Sequence, residues 1–432
     1  MKVACPSARP SWLKRRWIFY DAHLRRQTCS PLQFDSTATH VEPQLKTSIA
    51  YPASRISPAW PVGLVLSARI VLSGLGIVLL IAHKVPLSEE GAIRPYFGIA
   101  PVTEGLSGAL LGVWQRFDAI HYLRIASSGY SSTDLSAYFP LYPFLVRAFG
   151  TLLGRNYLLA SLVISNIAAI FAVLLFYMLV IDEFDDQELA KRSITYLVFF
   201  PTGFFLLAPY TESIALLVCI LAFREAKHGR WLTAGIAGFA CSLARAQGVL
   251  ICLILAAEAV RQYRQGKHPS PFFIFALFLP PVGLLSFMAW RYFAGFPPIS
   301  SVLFTYWQRV SSVPFASVLI TLQRMIDNTA ESIEYLDLTV VALMVILGFL
   351  VVFRLPLPYT IYYWTTLLFN LSQVRIPQPI SSQARYALLL FPAFIVLGQL
   401  GAIPRNHRLI LYSFFALWIY LAGQFIMWGW VG

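Results

Sequence analysis

Asp118 stands in Trp114-Gln-Arg-Phe-Asp118-Ala-Ile-His121-Tyr122-Leu-Arg-Ile-Ala-Ser-Ser-Gly129. Trp114, Phe117, His121 and Ile125 recur near helical spacing, so Asp118, His121 and Tyr122 would share one face. The spacing predicts a helix lying along a membrane surface, with Gly129 as its stop. A carboxylate on such a helix has either a chemical task or an ionic partner, and Arg116 and Arg124 are its neighbours in sequence. Two further arginines stand at breaks in apolar runs: Arg245 in Leu243-Ala-Arg245-Ala-Gln247-Gly248, and Arg385 in Ser381-Ser-Gln-Ala-Arg385-Tyr386. A guanidinium carries a fixed fork of donors that suits phosphate. The plainer role for both is to reach lipid headgroups. Tyr210 and Glu212 lie at a third break, Pro209-Tyr210-Thr211-Glu212.

The elements that must hold these residues are helices in a bilayer. The chain has 432 residues, 58% hydrophobic and 12% charged, about half the charge of a soluble domain. That excludes a soluble enzyme, a coiled coil and a disordered chain. The net charge of +13 does not call for nucleic acid. Residues 1–60 hold nine Lys/Arg against three acids, the pattern of a cytoplasmic segment. They read as a disordered basic tail, or an over-extended start, before a multi-span region at 61–432. Within the tail, Lys14, Arg15 and Arg16 with Trp12, Trp17, Phe19 and Tyr20 could rest on an anionic membrane. The five cysteines form no CxxC pair, so neither a disulfide framework nor a zinc site is expected.

Spans are expected at about 61–83, 157–181, 271–293, 338–354, 357–373, 385–402 and 408–428, with a charged loop at Asp182–Arg192. Residues 193–226 and 231–263 are each too long for one span. Arg245 at mid-membrane would be costly, so each stretch is expected to be a hairpin of two short helices. The turns put Tyr210, Glu212 and Arg245 at one surface. Arg224–Arg230 and Arg261–Lys267, with three Lys/Arg each, fall together on the other, which the positive-inside rule assigns to the cytoplasm. The expected architecture is an all-α polytopic membrane protein of about eleven transmembrane helices with interfacial outer helices, N-terminus inside and C-terminus outside. Trp231, Trp290, Trp418, Trp428 and Trp430 fall near span ends and are expected as interfacial anchors. Phe139-Pro140-Leu-Tyr142-Pro143 is expected as a bent segment dipping into the interface.

Taken together, these segments resemble the PIG-V-type mannosyltransferases, the family of the second mannosyltransferase of GPI-anchor synthesis and its bacterial relatives. The likeness runs from about residue 61 to the C-terminus. It is carried by Phe117-Asp118-Ala-Ile-His121-Tyr122, Ile125-Ala-Ser-Ser-Gly129-Tyr130 and Phe139-Pro140-Leu-Tyr142-Pro143. Phe200-Pro201-Thr-Gly-Phe204-Phe205, Ala208-Pro209-Tyr210-Thr211-Glu212-Ser213, Arg245 with Gly248, and Arg385-Tyr386 continue it. Phe117 stands where the family usually has Trp, and Ala244 where it often has Thr; both keep the charged groups and weaken transfer of the substrate by analogy. Bacterial members look closer than eukaryotic ones.

The resemblance implies a GT-C glycosyltransferase whose site faces the lumen or periplasm. It would sit in a bacterial plasma membrane, or the ER membrane of a eukaryote. The donor would be a polyprenyl-phosphate sugar, with mannose the family's sugar, and the acceptor a glycolipid or glycan hydroxyl. Membrane lipids are the other partners, an accessory subunit stays open, and no nucleic acid is expected. By the same resemblance Asp118 is the catalytic base, with inversion at the sugar. Arg245 and Arg385 would bind the donor phosphate and offset charge gathering on it. His121, Tyr122, Tyr210 and Glu212 are candidate substrate contacts, Glu212 having Arg245 as its alternative partner. Tyr138 and Tyr142 are further aromatics for sugar or lipid, and Trp307 and Arg309 for the acceptor. No HExxH, DxD-like or Gly-rich phosphate motif stands out, so no cofactor and no metal are expected, with an Asp118–metal role left open. The competing readings are a lipid or small-molecule transporter or flippase, and a lipid-binding scaffold subunit. The absence of repeated halves and the gathering of polar residues at one face count against a transporter.

Overall fold

A computed structural model describes residues 58–82, 85–91 and 93–431. The Lys14–Arg16 cluster with its aromatics, Cys5 and Cys29 lie outside the described residues.

The chain is an all-α polytopic membrane protein. Helices α1 (Ala59–Ile81), α2 (Gly105–Leu110), α3 (Asp118–Ser128) and α4 (Leu141–Leu152) are followed by the long α5 (Tyr157–Phe184) and by α6 (Gln187–Val198). Then come α7 (Glu212–Lys227), α8 (Trp231–Ala244), α9 (Ile251–Arg264), α10 (Phe272–Phe293), α11 (Ile299–Trp307) and α12 (Ala316–Ile326). The chain closes with α13 (Ser332–Arg354), α14 (Leu357–Leu371), the short α15 (Gln383–Tyr386), α16 (Phe391–Leu400) and α17 (Pro404–Ile426). Strands β1 (Arg309–Ser311) and β2 (Gln373–Arg375) pair antiparallel, with Arg309 opposite Arg375.

Each of the eleven expected spans has its helix. Among the described residues six stretches are long and apolar enough to cross a membrane: α1, α5, Ala246–Arg264, α10, α13 and α17. The segment Gln383–Leu400 makes a seventh if its two helical pieces, bent by 83°, count as one. The other expected spans are helices of 16 residues or fewer.

Several boundaries differ from the sequence expectation, each for a local reason. The Asp182–Arg192 loop contracts to Asp185 and Asp186. Asp185 takes the left-handed conformation at φ +51°, and the Asp186 carboxylate accepts from Leu189 N at 2.8 Å as the cap of α6. The break expected at Pro209 extends over Phe199–Thr211. Pro140 and Pro143 do not bend a segment: they open the regular helix α4, where a missing N–H costs no bond. α13 begins earlier than expected because Glu331 and Glu334 form a reciprocal capping box. Trp231 and Trp418 are buried at 2% and 0% exposure, so they are core residues and not interfacial anchors.

The hairpin α8–α9 turns where expected. Arg245 is extended at φ −158°, and a 3-10 turn over Ala246–Leu250 leads into α9. Gly248 is required there, since a Cβ would lie 2.2 Å from the Cys241 carbonyl carbon. α8 packs between α7 and α10, α5 against α4 and α7, and α6 against α16. The breaks between these helices, together with α3 and the β1–β2 ribbon, converge on one cavity.

Candidate active site

The expected helix starts at Asp118 and not at Trp114. Trp114 ends a 3-10 turn, and Phe117 at φ +49° separates the two. Asp118 thereby becomes the first residue of α3, where unpaired backbone N–H groups favour a negative charge. Gly129, at φ +73°, ends the helix as its pattern predicts. Arg116 fixes the entry to this turn. It is fully buried, and its guanidinium donates to the carbonyls of Gly112 (3.1 Å), Gln115 (3.0 Å) and Ile426 (3.1 Å). It is not the partner of Asp118, and Arg124 is not either, since Arg124 pairs with Asp134 at 2.9 Å.

The partner of Asp118 is Arg385. Arg385 Nη1 donates to Asp118 Oδ2 at 2.7 Å, and the Tyr138 hydroxyl donates to Oδ1 at 3.2 Å. Arg385 Nε stands 3.4 Å from Glu212 Oε1, which also accepts from Arg245 Nη1 at 2.9 Å. Asp118, Arg385, Glu212 and Arg245 thus form one alternating chain of charge. The rings of Tyr210 and Tyr386 each lie 5.4 Å from the Arg385 guanidinium carbon, within cation–π range. Burial alone would raise the pKa of Asp118. The charge and hydrogen bond of Arg385, then the charges of His121 and Arg309, outweigh it and hold the carboxyl below its usual value.

Asp118, Tyr138, Arg245 and Arg385 border a cavity of about 610 Å³, of a size that suits a small-molecule site. His121 and Tyr122 line it as well. His121 stacks on Tyr138 with ring centres 5.2 Å apart and meets the edge of Trp307 at 5.1 Å. Burial holds His121 below its usual pKa, against the opposing pull of Asp118. Phe97, Trp428 and Trp430 extend the aromatic wall.

Two of the expected substrate contacts, Tyr210 and Glu212, lie behind the cavity wall. Tyr210 is fully buried, and its hydroxyl donates to the Arg116 carbonyl at 3.2 Å. Glu212 is 1% exposed and holds Arg245 and Arg385 from behind. Neither reaches the cavity wall. Glu212 takes Arg245, the alternative partner that the sequence offered, and Tyr210 is taken up by the Arg116 carbonyl.

Sequence reasoning missed Asp337 and Arg375. Asp337, 1% exposed, accepts from Ala384 N at 2.8 Å and so fixes the turn that carries Arg385. Its position at the very start of an apolar run was a usable signal, because a buried acid there demands a partner. Arg375 lines the cavity next to Arg309. Its signal was an arginine in a loop assigned to the outer side, against the charge bias.

Among the described residues, no group of three His, Cys, Asp or Glu side chains converges as a metal site. The groups facing Asp118 are N–H and O–H donors.

A search of curated proteins finds no match. Residues 67–264, which include Asp118, His121, Tyr122, Glu212 and Arg245, match the family model for Mannosyltransferase (PIG-V). Over that stretch this polytopic membrane protein is similar to the PIG-V mannosyltransferases, a family of glycosyltransferases.

Proposed function

We propose that the protein transfers a hexose, with mannose as the family's sugar, from a polyprenyl-phosphate donor to a hydroxyl of a glycolipid or glycan. The observation that carries this reading is a carboxylate, Asp118, at the wall of a cavity bordered by arginines and aromatic rings. In one displacement the acceptor oxygen bonds to the anomeric carbon while the bond from that carbon to the phosphate oxygen breaks. Attack opposite the leaving group inverts the anomeric centre. The acceptor proton passes to Asp118, a contribution of about 10²–10⁴-fold for general-base catalysis. The leaving phosphate needs cationic stabilisation more than protonation. Arg245 and Arg385 at the cavity wall supply part of that field.

His121 and Tyr122 face the same cavity as Asp118, which supports their use as sugar contacts. The aromatic wall would exclude water and limit hydrolysis of the donor. The segments forming the wall, around residues 118–138, 245, 309, 375–386 and 428–430, are those that the positive-inside bias places outside. The reaction is therefore assigned to the periplasmic or lumenal face. No step of this scheme is routed through a metal.

The test is transfer of labelled mannose from polyprenyl-phosphate mannose in membranes carrying the full chain or its Asp118→Asn variant, with host lipid extract as acceptor. Product from the wild type and its loss in a folded variant are expected. Equal product from both would remove Asp118 from the mechanism. A wild type that accepts no polyprenyl-phosphate sugar would end the donor assignment.

A further inference from the structure

Four arginines border the cavity, and they are not equivalent. Arg385 and Arg245 are balanced by Asp118 and Glu212. Arg309 and Arg375 are half-buried, and among the described residues neither is ion-paired to a carboxylate. They sit directly opposite each other on the β1–β2 ribbon. Like charges at such a cross-strand position are destabilising. Arg309 donates to the Tyr386 hydroxyl at 2.9 Å, and Arg375 to Ser381 Oγ at 3.3 Å. These hydroxyl partners orient the two forks, and no carboxylate among the described residues is in ion-pair contact with either. Burial, then the charge of Arg309, lowers the pKa of Arg375. The Tyr386 ring also lies 5.0 Å from the Arg245 guanidinium carbon, which ties the ribbon to the Asp118 chain of charge. Two arginines facing one cavity, with no carboxylate in direct contact with either, have free donor forks suited to an anion.

We propose that Arg309 and Arg375 form the principal seat for the phosphate of the polyprenyl-phosphate donor. This rests on the transfer reaction proposed above and assigns its leaving-group end to the ribbon. The donor phosphodiester carries one negative charge. Cleavage of its bond to the sugar leaves the electron pair on the phosphate oxygen and adds a second. Two guanidiniums with no carboxylate in direct contact match the charge that develops, which is the arrangement that favours the transition state over the bound donor. The paired arginines, Arg245 and Arg385, then hold Asp118 and Glu212 in place instead of taking the phosphate's main charge.

Binding of polyprenyl monophosphate to the full chain in lipid nanodiscs tests this, with uncharged polyprenol and inorganic phosphate as parallel probes. The wild type is expected to bind polyprenyl monophosphate at least roughly tenfold more tightly than polyprenol or inorganic phosphate. Arg309→Gln and Arg375→Gln are each expected to weaken it by about tenfold, with a shallower salt dependence. Arg309→Lys and Arg375→Lys keep the charge and are expected to lose less, which separates charge recognition from misfolding. In transfer assays the same Lys variants should lower kcat as well as raise the donor KM, and leave the acceptor KM unchanged.

Wild-type binding of the lipid phosphate that both Gln variants retain would overturn the seat and leave the transfer reaction standing. No wild-type binding would overturn both. A rise in acceptor KM alone, or inorganic phosphate binding as tightly as the lipid, would assign the pair to another anion and also overturn the proposal.

Discussion

Arg385 Nη1 lies 2.7 Å from Asp118 Oδ2, across 267 residues of sequence. This contact joins the first residue of α3 to the turn before α16, and Glu212 on α7 braces it from behind. Asp118 and Arg385 are therefore expected to act as a unit. Removing one partner of a buried ion pair costs about 3–5 kcal/mol, mostly from the charge left behind. Arg385→Gln leaves both Asp118 and Glu212 under-compensated and should lower the unfolding temperature of the solubilised protein markedly. Adding Asp118→Asn to Arg385→Gln should restore part of that loss, with a coupling of roughly 0.5–3 kcal/mol. Thermal unfolding of the two single variants and the double variant completes the cycle. Strict additivity would mean that the two side chains do not hold each other.

The pH response follows from the same contact. The folded Asp118 has a pKa below its usual value, so it binds its proton less readily in the folded chain than in the unfolded one. Its stabilisation is fully present above the unfolded carboxylate value and is lost as pH falls through the lower, folded value. Transfer rates should accordingly show no acid limb from Asp118 in the ordinary carboxylate range. In Arg385→Gln, burial acts with less opposition, and the limb should move upward. A kcat/KM profile of wild type and variant between about pH 4 and 8 reads this directly. An unmoved limb would detach it from Asp118.

Asp337 should matter through position. Its Oδ1 accepts from Ala384 N at 2.8 Å, one residue before Arg385. Asp337→Ala removes that acceptor and leaves a buried N–H unpaired, at about 1–3 kcal/mol. Transfer per folded molecule should fall chiefly in kcat, because α15 no longer aims Arg385 at Asp118. Asp337→Asn keeps an acceptor oxygen and should recover most of the rate. If Asn and Ala lost rate equally, the negative charge and not the hydrogen bond would be the important property.

The helical content, the two hairpins and the helix carrying Asp118 were legible because each leaves a local mark. Hydrophobic period, an arginine at mid-run and Gly248 all act within a few residues of the feature they specify. The Glu212–Arg245 pair was offered by the sequence as an alternative, but the partner of Asp118 was not legible. Asp118 has Arg116 and Arg124 within a turn or two, yet the fold commits one to backbone carbonyls and the other to Asp134. Tyr210 and Glu212 were singled out as candidate substrate contacts from their place at a hairpin turn and in the family resemblance. Their burial behind Arg385 depends on how α7 meets α15, a tertiary fact with no local signature. Arg375 escaped notice for the same reason, since its meaning lies in facing Arg309 across a ribbon of three residue pairs.

Tyr138 offers the mildest test of the geometry around Asp118. Its hydroxyl donates to Oδ1 at 3.2 Å, while its ring stacks on His121 at 5.2 Å and meets Trp307 edge-on at 5.5 Å. Tyr138→Phe keeps the ring contacts and removes only the hydroxyl. One hydrogen bond to a charged group is worth about 1.5–3 kcal/mol, so the carboxylate loses a donor and becomes a stronger base. The transfer rate should therefore change through two opposed effects, a raised intrinsic basicity and a less fixed carboxylate, leaving a net loss of about tenfold or less. Tyr138→Ala removes the ring as well, frees His121 and Trp307, and should raise the donor KM in addition. Kinetics of the two variants separate the roles. A donor KM raised as much by Phe as by Ala would assign the effect to the hydroxyl and remove the stacked ring from sugar binding.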